Sequence, residues 1–335
     1  MTIFYDLALD LGTTYTLLFI PQLNLLHREP TFFAFNQRKG TPIASGEEAK
    51  KMVGFAPSHI EILQPLKDGV VVDFDHVSAF VRLVLQKVMR KKHFIFRNVL
   101  VSLPWGATDT ERRAYQNQLE ISGGISRIHL VQEPFAAALG VGYTLKEKTG
   151  ILIVDIGGGT TEIALISLGG IVQCISLKEA GNRMDEAIRE FLELHYRFSI
   201  GLTFAEKIKQ EHASVYPVIP DSELEIKGFH RTYRLPHTIR ISTRDIRIAI
   251  EPVVTRIMKG IESIFELMSP ELAVDVAKNG FSLAGGGAYL KGWEKRLHDY
   301  FGISAHIPES PHLCVIKGME KILRDLKSYS FLFLD

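Results

Sequence analysis

Two stretches of this sequence end an apolar run with an aspartate and continue with glycine and threonine. Residues 7–14 read LALDLGTT, and residues 151–162 read ILIVDIGGGTTE. Each apolar run predicts a buried strand, and glycine permits a tight turn after it because it carries no Cβ. Amides and hydroxyls at such a turn can bind phosphate oxygens, and the carboxylate before the turn can hold a metal ion through waters.

The repetition of this pattern is more informative than either copy. A single stretch of this kind is typical of a structural hairpin, but Asp10 and Asp155 each open roughly one half of the chain. A third glycine turn, formed by Gly285, Gly286 and Gly287, follows another apolar run. Together the three turns favour a polyphosphate ligand with a divalent metal ion. The long-range repeat also predicts two similar domains that face each other across a cleft.

The composition restricts the class of protein. A chain of 335 residues with 46% hydrophobic and 23% charged residues fits a soluble globular protein of two domains. Its net charge of +1 predicts no general attraction to nucleic acid. The two cysteines, Cys174 and Cys314, fit no zinc pattern and are predicted to be buried thiols in a reducing compartment. The sequence shows neither a signal-peptide pattern nor an apolar run of ~18 residues.

Capping residues and apolar spacing predict several helices. The sequence TDTE at residues 108–111 fits a capping box for a helix that ends near residue 122. The sequence TFAE at residues 203–206 fits a second capping box, so Glu206 could act only as a helix cap. Apolar spacing predicts further helices over residues 77–89, 184–198, 245–268 and 313–326.

Glu133 stands at the junction between a predicted strand and a predicted helix. Residues 128–131 form the strand, and Pro134 suits the first position of the helix. Reactive carboxylates often lie at such junctions. Glu133 could equally be a helix N-cap whose charge suits the helix dipole, and the residues alone leave both interpretations open.

Residues 90–97, RKKHFIFR, combine basic and aromatic side chains. In one interpretation the basic residues end a helix and the aromatic residues begin the next strand. In the other, a protruding loop inserts its aromatic side chains into a bilayer while its cations contact anionic headgroups. The apolar C-terminal residues 331–334 could likewise pack on the body of the protein or touch a partner or a membrane.

Six motifs occur in the order found in the actin-like ATPases. They are DLGT from Asp10, PLKDG from Pro65, EPFAAA from Glu133, DIGGGTTE from Asp155, AEKIK from Ala205 and GGG from Gly285. Through these motifs, the chain from about residue 5 to about residue 325 resembles the MreB family of bacterial actins. The resemblance implies an α/β actin-like ATPase fold of duplicated ribonuclease H-like domains, with two lobes around a nucleotide cleft.

The resemblance also implies four subdomains. Subdomain IA would contain residues 1–31, 67–142 and 313–335, and subdomain IB residues 32–66. Subdomain IIA would contain residues 143–180 and 245–312, and subdomain IIB residues 181–244.

Matching the motif positions carries the family's site residues over to this sequence. The resemblance implies that Asp10 and Asp155 hold Mg²⁺ through waters, that Glu133 positions the attacking water, and that Thr160 lies near the terminal phosphate. The residues that would contact the nucleotide are Gly12, Thr13, Thr14, Gly157, Gly158, Gly159, Thr160, Gly181, Glu206, Lys209, Gly285, Gly286 and Gly287.

Several departures from the family pattern bear on hydrolysis rate and nucleotide preference. Tyr15 stands where relatives usually carry asparagine, Asn182 where they carry aspartate, and Ala213 where they carry glycine. The sequence GME at residues 318–320 replaces a glycine-rich run. Because Asp10, Glu133 and Asp155 are kept, the chain is expected to be a diverged member or a paralogue.

The function implied by the resemblance is cytoskeletal. The protein would bind ATP or ADP with Mg²⁺, assemble with copies of itself into filaments, and hydrolyse ATP slowly as the filaments turn over. Such filaments lie on the inner face of the cell membrane and guide cell-wall elongation proteins, which implies a cytoplasmic, membrane-associated protein. A hydrophobic loop contacts the membrane in relatives, and its position matches Phe94, Ile95 and Phe96.

Three other functions share this fold. An ATP-binding scaffold without turnover is disfavoured because Glu133 is kept. A small-molecule kinase is disfavoured because the sequence contains no sugar-kinase pattern. A chaperone of the seventy-kilodalton heat-shock class is disfavoured because we expect no peptide-binding domain.

Overall fold

The computed structural model describes residues 3–89, 94–121, 125–146, 148–217 and 220–334. The chain divides into two compact units. Unit 1 consists of Met1–Lys146 together with Leu313–Asp335, and unit 2 consists of Glu147–His312. The finer division of each unit into an inner and an outer subdomain stays a prediction.

Over its described residues, unit 1 contains one five-stranded sheet and two smaller sheets. Its strands are β1 (Ile3–Leu11), β2 (Tyr15–Ile20), β3 (Leu25–Pro30), β4 (Phe33–Asn36), β5 (Thr41–Ser45), β6 (Ile60–Leu63), β7 (Leu66–Lys67), β8 (Val70–Val71), β9 (Phe94–Leu103) and β10 (Ile128–Gln132). The large sheet has the order β3-β2-β1-β9-β10, in which β1, β2 and β3 are antiparallel neighbours and β1, β9 and β10 are parallel neighbours. Strand β4 pairs with β5 and β6, and β7 pairs with β8.

The helices of unit 1 pack on its sheets. They are α1 (Glu47–Lys50), α2 (Phe74–Met89), α3 (Asp109–Ile121), α4 (Glu133–Val141) and α10 (Cys314–Arg324). Leu7 and Leu9 of β1 pack in one buried cluster with Phe80 and Val84 of α2. Helix α10 lies against β1 and β9 and packs on α4.

Unit 2 is built from one five-stranded sheet, one three-stranded sheet and five helices over its described residues. The strands are β11 (Ile151–Ile156), β12 (Thr161–Ser167), β13 (Gly170–Leu177), β14 (Phe198–Ser199), β15 (Glu223–His230), β16 (Leu235–Ser242), β17 (Phe281–Ala284) and β18 (Ala305–His306). The helices are α5 (Gly181–Tyr196), α6 (Leu202–His212), α7 (Thr243–Glu266), α8 (Pro270–Asn279) and α9 (Trp293–Phe301).

The large sheets of the two units have the same topology. In unit 2 the order is β13-β12-β11-β17-β18, again with three antiparallel strands followed by two parallel ones. Asp10 is the last residue but one of β1, and Asp155 is the last residue but one of β11. The predicted repeat of a strand–turn–strand unit is therefore confirmed within each unit.

Most of the predicted helices are present with ends shifted by a few residues, and one predicted cap is wrong. The capping box at residues 108–111 is confirmed, because the Glu111 amide donates to Thr108 Oγ1 at 3.2 Å and the Thr108 amide to Glu111 Oε2 at 2.7 Å. The box at residues 203–206 does not form. Helix α6 begins earlier, at Leu202, after Gly201 as the N-cap, with no side-chain cap hydrogen bond.

The structure confirms the predicted burial of one cysteine but not of the other. Cys314 is buried as predicted, but Cys174 on β13 is only half-buried because it lies in an outer strand of the sheet.

Within the described ranges, no helix combines the length and the apolar character needed to cross a membrane.

Two glycines allow α4 and α10 to touch backbone to backbone. A Cβ on Gly140 of α4 would lie 1.8 Å from the carbonyl oxygen of Cys314 on α10. A Cβ on Gly318 of α10 would lie 1.8 Å from the carbonyl oxygen of Ala136 on α4. Because both obstacles are backbone atoms, any larger residue at either position must separate the helices.

We predict that Gly318→Ala lowers the free energy of unfolding of the whole chain by about 2 kcal/mol, since overpacking of this kind typically costs that much. The matched control is Gly170→Ala, because a Cβ there would meet its nearest atom, the Ser167 carbonyl oxygen, at 3.8 Å. Urea unfolding checks the prediction. If the two variants unfold at the same midpoint concentration of urea, the prediction is contradicted.

Candidate functional site

The hairpin between β1 and β2 in unit 1 is held in place by the close packing at Gly12 and by hydrogen bonds from Thr31. A Cβ on Gly12 would lie 2.7 Å from the Tyr15 carbonyl oxygen, so the turn requires glycine there. Thr31 Oγ1 donates to the Gly12 carbonyl at 2.7 Å, and the Thr31 amide donates to the Thr14 carbonyl at 2.9 Å. Because Thr31 engages these two carbonyl oxygens, their partial negative charge is partly balanced before an anion approaches the turn.

Thr13 lies at the tip of the same hairpin and is buried. Its hydroxyl oxygen accepts a hydrogen bond from the Gly69 amide at 3.1 Å. The PLKDG motif therefore contacts the DLGT motif, which joins two of the sequence motifs within unit 1. Tyr15, one of the departures, begins β2, and the Arg28 guanidinium carbon lies 3.5 Å from its ring centroid.

Asp10 is a buried carboxylate at the base of this hairpin, with 9% of its surface exposed. Ser102 Oγ of β9 donates a hydrogen bond to Asp10 Oδ1 at 2.7 Å. Burial raises the pKa of Asp10 to about 6, and the hydrogen bond from Ser102 opposes that rise. The ionised form of Asp10 is thus destabilised by its surroundings, and a nearby cation would stabilise it.

The second hairpin has the corresponding geometry in unit 2. The Gly157 amide donates to the Thr160 carbonyl at 2.9 Å, which closes the turn between β11 and β12. Asp155, 8% exposed, lies opposite Glu162 of β12 and beside Ala284 of β17. Gly158 and Thr160 are half-buried, so the tip of the turn reaches the surface of the unit.

The third glycine turn lies directly against Asp155. Gly285 has φ +80°, and a Cβ there would lie 2.4 Å from Asp155 Oδ1. A Cβ on Gly287 would lie 2.2 Å from Ile156 Cγ2, whereas one on Gly286 would have no neighbour within 4 Å. The GGG sequence therefore fits closely at its two outer positions and leaves open space at the middle one.

Helix α5 begins on the second hairpin. Its first two amides, of Gly181 and Asn182, donate to the carbonyls of Gly157 and Gly158 at 3.1 and 2.8 Å. A Cβ on Gly181 would lie 3.3 Å from the Gly157 carbonyl oxygen, so the contact is tight. The predicted nucleotide residues Gly157, Gly158 and Gly181 thus belong to one hydrogen-bonded assembly.

Lys209, a buried residue of α6, adds a further hydrogen bond to this assembly. Its Nζ donates to the Gly181 carbonyl at 2.6 Å and lies 2.8 Å from Asp185 Oδ1. Both charged side chains are buried. The ammonium group is thus engaged with α5, a role that the sequence analysis did not foresee. Glu206, on the same helix α6, is half-buried and accepts a hydrogen bond from Gln210 Nε2 at 3.2 Å.

Glu133 is the first residue of α4, where a negative charge suits the helix dipole. The N-cap is Gln132, so the interpretation of Glu133 as the N-cap itself is wrong by one residue. Glu133 is half-buried and lies near Tyr115. Burial, together with the negative charges of Glu133 and Glu111, raises the pKa of the Tyr115 phenol above its ordinary value.

Three residues that support the candidate site were missed by the sequence analysis. Ser102 holds Asp10, Thr31 holds the first turn, and Tyr115 lies near Glu133. Ser102 interrupts the apolar strand VLVSL, which is a signal that could have been noticed. Thr31 and Tyr115 act across long sequence separations and carry no comparable local signal.

The membrane hypothesis for residues 94–96 requires a correction. Phe94, Ile95 and Phe96 begin β9 and pair with β1, so they do not form a protruding loop. Phe96 is fully buried in the core of unit 1, and its ring therefore cannot reach a bilayer. Ile95 is half-buried, and residues 90–93 lie outside the described residues.

The C-terminal tail packs on the body of unit 1. Phe333 forms an antiparallel bridge with Val131, and the Leu334 amide donates to the Leu130 carbonyl at 2.9 Å. The tail thus covers the outer edge of β10, the last strand of the large sheet.

A magnesium ion fits the chemistry of these hairpins. Each unit offers a buried aspartate beneath a glycine or threonine turn, unit 2 adds the buried Glu162 opposite Asp155, and Mg²⁺ usually completes its octahedral shell with waters and phosphate oxygens. In the described part of the chain, no group of three or more His, Cys, Asp or Glu side chains is arranged to hold a metal ion.

We predict that Asp10→Asn raises the thermal midpoint at pH 7.5. Because the folded pKa of Asp10 is raised to about 6, the folded state binds more protons than the unfolded chain between about pH 4 and 6. Ionisation of Asp10 therefore costs stability as the pH rises through 6, and asparagine avoids this cost. The gain should be a few degrees at pH 7.5 and should shrink toward pH 5.

Asp6→Asn is the matched control, and we expect it to shift the thermal midpoint in the opposite direction. Burial alone would raise the pKa of Asp6, but hydrogen bonds from Asn98, Arg97 and Gln22 hold it below its ordinary value. Its contribution is lost only below about pH 4, so Asp6→Asn should lower the midpoint equally at pH 5 and 7.5. Differential scanning fluorimetry gives both curves. A midpoint for Asp10→Asn that lies below the wild type at both pH values would refute the account.

The similarity to known proteins extends over almost the whole chain. A family model described as MreB/Mbl protein matches residues 4–330. The cell shape-determining protein MreB of Escherichia coli K12 is 37% identical over 324 residues, which cover 95% of this chain and 93% of that protein. The cell shape-determining protein Mbl of Bacillus subtilis 168 is 34% identical over 321 residues, which cover 96% of both chains.

A solved structure agrees with this relationship. The crystal structure of MreB5 of Spiroplasma citri bound to ADP matches with a TM-score of 0.91 and 31% identity over 98% of both chains. The structure of the same protein bound to AMPPNP matches equally well.

Proposed function

The chain belongs to the MreB/Mbl family and has the actin-like fold, and we propose that it binds ATP with Mg²⁺ and assembles into filaments that help determine cell shape. Its relatives MreB and Mbl carry the description cell shape-determining protein. The adenine nucleotides ADP and AMPPNP are bound by MreB5. ATP is therefore the natural candidate for the polyphosphate ligand.

The observation that carries this proposal is the paired hairpin. Each unit ends a central strand with a buried aspartate and follows it with a turn that glycine makes possible. In unit 1, Thr31 engages the turn carbonyls, and in unit 2 the start of α5 does the same. Amides and hydroxyls at the turns can then serve as donors to phosphate oxygens.

Hydrolysis of a phosphoanhydride needs an in-line water, donors to the phosphate oxygens and a metal ion, and no covalent nucleophile. Bound Mg²⁺ would neutralise charge on the phosphate oxygens. Glu133 would orient the water through its carboxylate, and Thr160 would contact the terminal phosphate. Glu133 belongs to unit 1 and Thr160 to unit 2, so the proposal gives each unit a residue with a role in hydrolysis.

We predict that the wild-type protein sediments with Mg-ATP and slowly releases phosphate, whereas Glu133→Gln sediments equally but releases phosphate about a hundredfold more slowly. The amide keeps the shape of the side chain but removes the charge that would orient the water. Sedimentation and a phosphate assay on the same samples, with electron microscopy of the pellet, give both readouts.

The control for this experiment is Glu120→Gln, an exposed carboxylate on α3 outside the candidate site. It should leave sedimentation and phosphate release unchanged. Unchanged release by Glu133→Gln would contradict the proposed role of Glu133, and absence of release by the wild type would identify the protein as a scaffold without turnover. Absence of ATP-dependent sedimentation in the wild type would contradict filament assembly.

The proposed filaments would lie on the inner membrane surface with cell-wall elongation proteins as partners. We base the proposed membrane contact on the first residues of strands β1 and β9, because residues 94–96 do not form a loop. Phe4 is 55% exposed and pairs with Ile95 of β9, and the sequence carries basic residues at 90–92, shortly before that strand begins. Exposed apolar groups beside cations are suited to a surface of anionic lipid.

We predict that Phe4→Ser combined with Phe94→Ser reduces co-sedimentation with vesicles containing anionic phosphatidylglycerol. Phe96 is left intact because its substitution would disrupt the core. Phe55→Ser is the control, since Phe55 is 87% exposed but distant in sequence from this patch. Equal vesicle binding by the double variant and the control would remove this patch from consideration.

A further inference from the structure

One continuous stretch of chain contacts both of the elements that meet at Glu133. This stretch, residues 314–334, consists of α10 and the residues that follow it, and we call it the C-terminal arm. Helix α10 packs on α4, which begins at Glu133. The residues after α10 return to β10, which ends at Gln132. The arm therefore contacts the chain on both sides of the candidate water-orienting carboxylate.

The helix after Glu133 is fixed tightly by the arm. Lys321 Nζ of α10 donates to the Leu139 carbonyl of α4 at 2.7 Å. The two backbones also touch at Gly140 and Gly318, where even a Cβ has no room. A shift of α4 along α10 would break this packed contact, so the helix keeps its place on the arm.

The strand before Glu133 is held by a smaller set of contacts at the end of the arm. Phe333 forms an antiparallel bridge with Val131, and the Leu334 amide donates to the Leu130 carbonyl at 2.9 Å. Strand β10 is the outermost strand of the large sheet, and its inner neighbour is β9. The arm thus supplies an outer partner to a strand that ends one residue before Glu133.

His129 connects the end of the arm to the interior of the sheet. The ring centroids of His129 and Phe333 are 4.7 Å apart. His129 Nε2 lies 3.4 Å from Asn98 Oδ1, and Asn98 Nδ2 donates to Asp6 Oδ1 at 2.8 Å. Asn98 and Asp6 are both buried. The ring of Phe333 therefore adds a second attachment of the arm to β10, besides the backbone bridge.

A change at the end of the arm has a short path to Glu133. Val131 precedes Glu133 by two residues, which is about 7 Å along an extended strand. A group that orients a reacting water must be placed accurately, since an error of about 1 Å can cost a hundredfold in rate. The hairpin expected to bind phosphate follows β1, and β9 lies between β1 and β10. Release of the arm should therefore disturb Glu133 more than the phosphate contacts.

We propose that the C-terminal arm positions Glu133 for hydrolysis, with Phe333 as a positioning residue that acts through β10. This inference rests on the proposed function and deepens it by naming what holds the water-orienting carboxylate in place. If the arm only covered a sheet edge, its loss would lower the stability of unit 1 and leave the hydrolysis rate of the folded molecules unchanged.

The test separates the rate of hydrolysis from the affinity for ATP. Phe333→Ser removes the ring that packs on His129. It should slow phosphate release at saturating Mg-ATP about tenfold and leave the ATP affinity unchanged, because the phosphate hairpin is intact. Phe333→Tyr keeps the ring and should release phosphate at the wild-type rate. Release is compared at equal sedimented fractions, and competition with a fluorescent ATP analogue gives the affinities.

Phe331→Ser is the matched control, since it makes the same substitution in the same segment. Phe331 is 48% exposed, and its ring centroid lies 5.6 Å from Lys146 Nζ. This variant should keep both the wild-type rate and the wild-type affinity.

Leu334→Pro is a second test that leaves the ring of Phe333 in place. Proline has no amide hydrogen, so this variant loses the hydrogen bond to the Leu130 carbonyl. It should also slow phosphate release without a change in ATP affinity. The two variants weaken the same attachment by different means, so the result does not depend on how well one of them folds.

A double variant tests whether the arm acts through Glu133. Phe333→Ser should slow release no further when it is added to Glu133→Gln, because the carboxylate that it positions is already absent. An effect of the arm on any other step of the reaction would instead make the two losses multiply.

Three results would overturn the inference: wild-type release by both Phe333→Ser and Leu334→Pro, equal losses of rate and ATP affinity in these variants, or multiplied losses in the double variant. Each leaves the proposed function intact as long as the wild type releases phosphate and Glu133→Gln does not. Absence of release by the wild type, or unchanged release by Glu133→Gln, would overturn the proposed hydrolysis and the positioning role together.

Discussion

Each unit of this protein depends on a carboxylate buried at the end of a central strand. Asp10 and Asp155 are at most 9% exposed, and the charged form of a buried carboxylate is costly. The neighbouring backbone must therefore approach closely enough to exclude water while leaving the turn above it open. Gly12 and Gly285 meet that requirement, because a Cβ at either position would collide with the hairpin or with Asp155 itself. A hydrogen bond from Ser102 offsets part of this cost at Asp10, and a bound cation would offset more of it, so these positions are better suited to ligand binding than to stability.

Unit 2 links its hairpin to the rest of the unit through a continuous set of hydrogen bonds. The first amides of α5 bond to Gly157 and Gly158, and Lys209 joins the start of α5 to α6. Helix α5 also contacts β14 and α7. A displacement of the hairpin by a phosphate would therefore move α5 and its neighbours together. Under the proposed function, this arrangement would transmit nucleotide state to the surface of unit 2, and Lys209 would belong to it through its contacts with Gly181 and Asp185.

The sequence predicted those features that depend on neighbouring residues. The two hairpins, the helix after Thr108 and the repeat of the strand–turn–strand unit follow from short patterns of apolar residues, glycine and capping groups. The capping box predicted at residues 203–206 was a local error, but most features that were missed or wrong depend on distant residues. Ser102 meets Asp10 only because β9 runs beside β1, Lys209 meets Asp185 only because α5 and α6 pack together, and Phe96 is buried because its strand is central to the sheet. Local pattern cannot distinguish an aromatic residue on a loop from one that begins a buried strand.

The proposal that Asp10 and Asp155 take part in binding Mg-ATP can be tested most directly by calorimetry. The quantity to measure is the affinity for ATP, with Mg²⁺ and with EDTA. We expect the wild type to bind Mg-ATP more tightly than ATP alone. Asp10→Asn and Asp155→Asn should each bind ATP with the same weak affinity in both conditions, because the missing carboxylate removes the benefit of the metal ion. A full magnesium-dependent gain in affinity in either variant would contradict the proposed role of that aspartate in holding the metal–nucleotide complex.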